Sequence, residues 1–168
     1  EAESMPPASM LTRFANGTFV VILLDMTSTE RLPRSPELMN RHDSALVVVD
    51  VQEKLMPLVA GHERIEWNIG RLLDGAKLLN VPAVATEQYP KGLGRTLPEL
   101  AAKIEAAIPE KLLFSCGECG VLFAQLAERG IHKLLLCGIE AHVCVQQTAL
   151  DLMAAGFRVY LAVDAIGA

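Results

Sequence analysis

The sequence predicts an α/β domain built as a three-layer, doubly wound, mainly parallel sheet with helices on both faces. Continuous apolar runs such as Ala45-Leu46-Val47-Val48-Val49 and Leu134-Leu135-Leu136-Cys137 lack polar alternation, as strands covered on both faces require. Between such runs, apolar residues recur at helical spacing, so strand and helix alternate along the chain. Ligands of such sheets bind beyond the carboxyl ends of the strands, and Asp50 and Gly138 stand at two such ends.

Residues 1–43 read as an N-terminal extension, irregular and rich in Ser, Thr, Pro and Arg toward its end. Within it the run 19–24 has the character of a buried strand, either an added edge strand or part of an unrelated extension. Asp25 follows that run as Asp50 follows its own, but no helical stripe comes after it, so it is set aside. From Ser44 to Ala168 the pattern is that of one domain.

After the strand at 45–49, Ile65, Ile69, Leu72, Leu73, Ala76 and Leu79 form a helical stripe. Asn80-Val81-Pro82 ends it before a strand at 83–86. A Gly/Pro loop over 87–95 leads to Thr96-Leu97-Pro98-Glu99, which has capping-box spacing. Leu97, Leu100, Ala101 and Ile104 continue as a stripe until Pro109-Glu110-Lys111 interrupts. A helix over 121–129 is stopped by Gly130, and 132–137 is the next strand. A helix carrying Cys144 runs to Gly156 with Val145, Ala149, Leu152 and Met153 as its apolar face, and a last strand over 158–163 ends at Asp164.

At 168 residues the chain is long enough to bury a core without disulfides or metal. A net charge of -5 leaves no basic footprint for nucleic acid or an anionic membrane, so a small-molecule substrate is expected. The 4 cysteines, Cys116, Cys119, Cys137 and Cys144, all fall in the second half and do not form a stapling framework. They predict reduced thiols and a cytoplasmic setting. No targeting signal is expected, because the apolar run 19–24 is short and is preceded by Glu1 and Glu3.

Cys144 lies in the first turn of its predicted helix, where unpaired N–H groups and partial positive charge favour a thiolate and bind an oxyanion. The alternative is a core cysteine between Val143 and Val145. Asp50 is a candidate general base, or else a structural cap. Lys111 is placed near the crevice edge, or else on the solvated surface. His142 stands two positions from Cys144, nearly opposite on a helix, which argues against a direct dyad. Cys116 and Cys119 have the spacing of half a zinc site or a redox pair. No second half-site follows and no thioredoxin-like strand precedes, which favours ordinary thiols.

Together these residues resemble the isochorismatase-like cysteine hydrolases, the superfamily that also holds nicotinamidases. The resemblance covers 44 to about 165 and rests on Val47-Val48-Val49-Asp50-Val51-Gln52, on Glu110-Lys111 through Phe114-Ser115, and on Gly138-Ile139-Glu140-Ala141-His142-Val143-Cys144. It implies a catalytic triad of Asp50, Lys111 and Cys144, a cis peptide between Ile139 and Glu140, and an oxyanion hole from the backbone N–H groups of Glu140 and Cys144. The loop beginning at Thr86 is similar to that of isochorismatase domain-containing proteins.

The resemblance implies hydrolysis of a small amide or related C–N bond through a cysteine thioester, without cofactor. Nicotinamidases carry a metal-binding Asp-x-His motif where this chain has Thr86-Glu87-Gln88-Tyr89, so no metal is expected. Gln52, Tyr89 and Phe114 are the expected pocket residues. Dimers or larger homo-oligomers are implied, and relatives are expected to continue beyond the position of Ala168, which makes a C-terminally truncated fold the expectation. The reading from another class is a catalytically silent binding or scaffold protein on the same fold.

Overall fold

The computed structural model describes residues 10–13, 19–22 and 33–168. The chain divides into two compact units, Glu1–Leu38 and Met39–Ala168. In the first, β1 (Met10–Arg13) pairs antiparallel with β2 (Phe19–Ile22), Met10 opposite Ile22. The run expected as a strand at 19–24 thus belongs to a two-stranded sheet of its own, and Leu23, Leu24 and Asp25 lie outside the described residues.

The second unit holds a parallel five-stranded sheet in the order β5-β4-β3-β6-β7. Its strands are β3 (Ser44–Val49), β4 (Ala83–Gln88), β5 (Glu110–Lys111), β6 (Lys133–Ile139) and β7 (Arg158–Gly167). The helices are α1 (His62–Leu79), the single turns α2 (Pro90–Leu93) and α3 (Pro98–Ala101), α4 (Gly120–Glu128) and α5 (Gln146–Ala154). Strand order reverses at β3, which has β4 on one side and β6 on the other. The switch point, where such sheets open a crevice, therefore lies beyond the ends of β3 and β6.

Every residue of β3 is buried, because side chains alternate between two covered faces. Leu46 and Val48 join Ile65, Ile69 and Leu73 of α1, whereas Ala45, Val47 and Val49 join Phe123 and Leu126 of α4 and Val145 and Leu152 around α5. These are the three layers. Each fully buried side chain such as Ile69 or Leu73 contributes roughly 1.5–3 kcal/mol.

The helix ends at the Asn80-Val81-Pro82 break the sequence predicts, with Asn80 in the left-handed conformation, φ 55°, and Val81 donating its N–H to Ala76 O at 2.8 Å. Other elements depart from expectation. Thr96 does not cap α3, whose N-cap is Leu97 without a side-chain bond. Its N–H and hydroxyl both go to Glu87 Oε1, at 2.7 and 2.9 Å. A carboxylate only 3% exposed needs those donors more than an open helical turn does. The stripe predicted to reach Ile104 is one turn long, and Met153, placed on the apolar face of α5, is half-exposed, with buried Thr148 beside Leu152 instead. The last strand runs past Asp164 to Gly167, and Asp164 O accepts from Asn68 of α1 at 2.7 Å. Among the described residues no helix is long and apolar enough to cross a membrane.

Candidate active site

Strand register brings the chemistry together. Val49 stands opposite Thr86 of β4 and opposite Gly138 of β6, and Gln88 of β4 stands opposite Lys111 of β5. Gly138 adopts φ 117°, and a Cβ there would lie 2.1 Å from Val49 O and 2.7 Å from Val49 N. Only glycine permits β6 to approach β3 this closely at the crevice. One residue past Val49 the chain turns through Asp50 at φ 51°, a left-handed position that Asp tolerates better than most side chains.

Asp50, Lys111 and Cys144 converge there. The Asp50 and Lys111 side chains are wholly inaccessible to solvent, with Lys111 Nζ 2.6 Å from Asp50 Oδ2. The ammonium also donates toward Gln88 Oε1 at 2.8 Å, Phe114 O at 2.8 Å and Leu113 O at 3.2 Å. Its three protons are thus engaged by acceptors on all sides. Thr86 Oγ1 donates to Asp50 Oδ1 at 2.9 Å, and the Cys144 thiol lies close enough to the same carboxyl for each group to shift the other's proton affinity. Among the described residues, no buried side-chain nitrogen or oxygen lacks a partner.

Burial raises the Asp50 carboxyl above its ordinary value of 3.8, against the opposing pull of the Lys111 charge and its hydrogen bond. Burial, followed by the Asp50 charge, pushes the Cys144 thiol up to about 12. The assembled site thus opposes the thiolate-favouring effect expected of a helix terminus alone. Cys144 is 5% exposed and sits in a π-helical turn, Ala141–Val145, ahead of α5. Desolvation and a neighbouring anion outweigh a helix-terminal field there. Both groups thus hold a proton more tightly than they would in water.

The peptide between Ile139 and Glu140 is cis. The Glu140 carbonyl accepts from the N–H groups of Val143 and Val145, each at 3.1 Å, which fixes the turn carrying Cys144. Tyr89 donates its N–H to Lys111 O at 2.9 Å, and its side chain is half-exposed, as is that of Phe114. Gln52 is differently placed. Its amide is fully buried, donates to Gln88 O at 2.9 Å and Gly94 O at 2.6 Å, and accepts from Gln88 N at 2.7 Å. It fastens the 88–94 loop and has no donor left for a ligand.

Thr86 and Gln88 escaped the sequence reading, although their place at the end of β4, beside the strand ending at Asp50, was a usable signal. Cys116 is fully buried, its Sγ 3.1 Å from Thr86 Oγ1, and all four cysteines are free. Among the described residues no cluster of three or more His, Cys, Asp or Glu side chains is arranged to hold a metal ion. Glu87, in the segment Thr86-Glu87-Gln88-Tyr89, is committed to Thr96 and to Arg95, the latter at 2.8 Å.

The isochorismatase domain family model matches residues 44–168. The chain is 40% identical over 124 residues to isochorismatase domain-containing protein 2 of Danio rerio, covering 73% of this chain and 62% of that protein. It also resembles the MAR1 ribonuclease of Caenorhabditis elegans, at 39% identity and TM-score 0.70 over 77% of this chain and 67% of the other. An octameric Escherichia coli hydrolase of unknown specificity matches at 28% identity and TM-score 0.71, over 77% and 66%. Against the first curated relatives, the chain spans between 41% and 62% of their length.

Proposed function

The chain belongs to the isochorismatase domain family, and on that premise we propose that it is a metal-independent cysteine hydrolase of small amides or related C–N bonds. The observation that carries the reading is the Asp50 carboxylate, shut away from solvent between the Lys111 ammonium at 2.6 Å and the Cys144 thiol.

A substrate carbonyl enters beside Cys144. Asp50 takes the thiol proton as sulfur attacks the acyl carbon, and the oxyanion that forms is met by the backbone N–H groups of Glu140 and Cys144. The C–N bond breaks as Asp50 returns the proton to the leaving amine, which leaves a thioester on Cys144. Water, deprotonated by Asp50, attacks the thioester, and the acid departs as the thiol is re-formed. Lys111 holds Asp50 in place and limits its basicity. Because burial pushes the thiol up to about 12, transfer of its proton to Asp50 accompanies attack on the electrophilic carbon.

Tyr89 and Phe114 are proposed to line the substrate side. A homo-oligomer is part of the proposal, supported by the octameric neighbour, and so is a cytoplasmic location, supported by four free thiols. RNA is not the proposed substrate, since the net charge is -5 and the site cation Lys111 is buried and engaged.

The test is a screen of small amides and carbamates, with RNA as a control substrate. Hydrolysis that disappears in Cys144→Ala and Asp50→Asn supports the proposal. Turnover that survives both variants, or a wild-type chain that binds ligands of this class without hydrolysing them, favours another mechanism or the silent scaffold.

A further inference from the structure

The proposed mechanism gives Thr86 and Cys116 no part, yet both are buried against the base. Thr86 is inaccessible on β4, and Cys116 is inaccessible in the 3-10 turn Cys116–Cys119. The Cys116 backbone N–H is held by Thr148 Oγ1 of α5 at 2.9 Å, which fixes where its sulfur can be. That sulfur lies 3.1 Å from Thr86 Oγ1, itself 2.9 Å from Asp50 Oδ1.

The direction of this chain follows from counting protons. A threonine hydroxyl has one proton, and an ionised carboxylate only accepts. The proton of Thr86 therefore points at Oδ1, and its lone pair is left to receive the S–H of Cys116. Burial keeps that proton in place, holding the Cys116 thiol up at about 11.

We propose that Thr86 and Cys116 are positioning residues for the base: Cys116 donates to the Thr86 hydroxyl, which commits that hydroxyl to Oδ1 while Lys111 holds Oδ2. Both oxygens of the carboxylate are then held by donors from different strands, fixing its plane toward Cys144. A hydrogen bond to the charged form also favours ionisation against the effect of burial. The charged and titratable groups facing Asp50 are Lys111 from β5, Cys144 from the π-helical turn, and Cys116 and Cys119 from the 3-10 turn. Of these only Cys116 acts through an intervening hydroxyl.

This inference rests on Asp50 being the base, so the experiment reads Asp50 without requiring turnover. In the full chain labelled with 13C at aspartate carboxyl carbons, the Asp50 resonance is titrated by NMR. Thr86→Val is expected to raise the Asp50 midpoint by about one pH unit, the worth of one hydrogen bond to a charged group, and Thr86→Ser to restore it.

Cys116→Ala is expected to raise the midpoint by less, and the Thr86→Val/Cys116→Ala double variant to titrate as Thr86→Val alone, since Cys116 acts through Thr86. An unchanged midpoint in a folded Thr86→Val variant, or additive shifts in the double variant, would overturn the inference. Should wild-type hydrolysis be absent while these shifts occur, the hydrolase reading fails and the positioning relationship stands.

Discussion

The Lys111 ammonium stands 2.6 Å from Oδ2 of Asp50, with both side chains entirely out of solvent. A buried pair of this kind tolerates the loss of both charges better than the loss of one. Lys111→Met, which strands the carboxylate, is expected to cost about 3–5 kcal/mol in urea unfolding. The Asp50→Asn/Lys111→Met double variant should recover much of that loss while remaining inactive. A Lys111→Met protein as stable as the wild type would show that the pair carries no such weight.

The pH dependence of kcat/KM follows from the states of Asp50 and Cys144. In the proposed mechanism, attack requires Asp50 ionised and the Cys144 proton still available for transfer. Asp50 is raised above 3.8 and the thiol to about 12. Activity should therefore rise through a limb lying above 3.8, as Asp50 loses its proton, and stay level beyond the ordinary thiol value of 9.0. A second rise near 9.0, tracking thiol ionisation, would mean that the reactive species is a free thiolate after all.

Gly138 is the point of closest approach between β6 and β3. An added Cβ would meet Val49 O at 2.1 Å, and the residue holds φ 117°. Gly138→Ala should lower stability by about 3 kcal/mol or more through strain and backbone displacement. Chemical denaturation measures it directly, and a change below about 0.5 kcal/mol, the usual range for an indifferent surface site, contradicts the packing described.

Gln52 is a fastener for the loop that carries Tyr89. Replacing it by Ala removes bonds to Gln88 O, Gly94 O and Gln88 N. The expected cost is about 2 kcal/mol, together with faster amide exchange over residues 89–94. If the loop borders the substrate, KM for any amide found in the screen should rise more than kcat falls.

Much of this site is written locally, and the missing parts are those set by distance along the chain. The run at 45–49 announces a strand covered on both faces, and Asp50 at its end is legible because carboxyl ends of strands point into the crevice. Lys111 has no local signature. It lies in a two-residue strand, Glu110–Lys111, and gains meaning only from the motif resemblance. Thr86 and Gln88 act through register across β3, β4 and β5, which depends on which strands become neighbours.

Thr96 carries a capping signal that the buried Glu87 overrides. Cys144 illustrates the same limit of local reading. A helix terminus is a local feature, whereas the desolvation and the Asp50 charge that hold the thiol protonated come from the assembled sheet.

In the proposed mechanism Cys144 becomes a nucleophile through Asp50. The most direct measurement is peptide mass mapping after brief exposure of the folded protein to 2-chloroacetamide at neutral pH, a small amide whose electrophilic carbon is captured by sulfur. Cys144 is expected to be modified before Cys116, Cys119 and Cys137, and Asp50→Asn to abolish its labelling while leaving the other thiols as they were. Modification of Cys116 or Cys119 with Cys144 inert, or Cys144 labelling that is indifferent to Asp50→Asn, would contradict it.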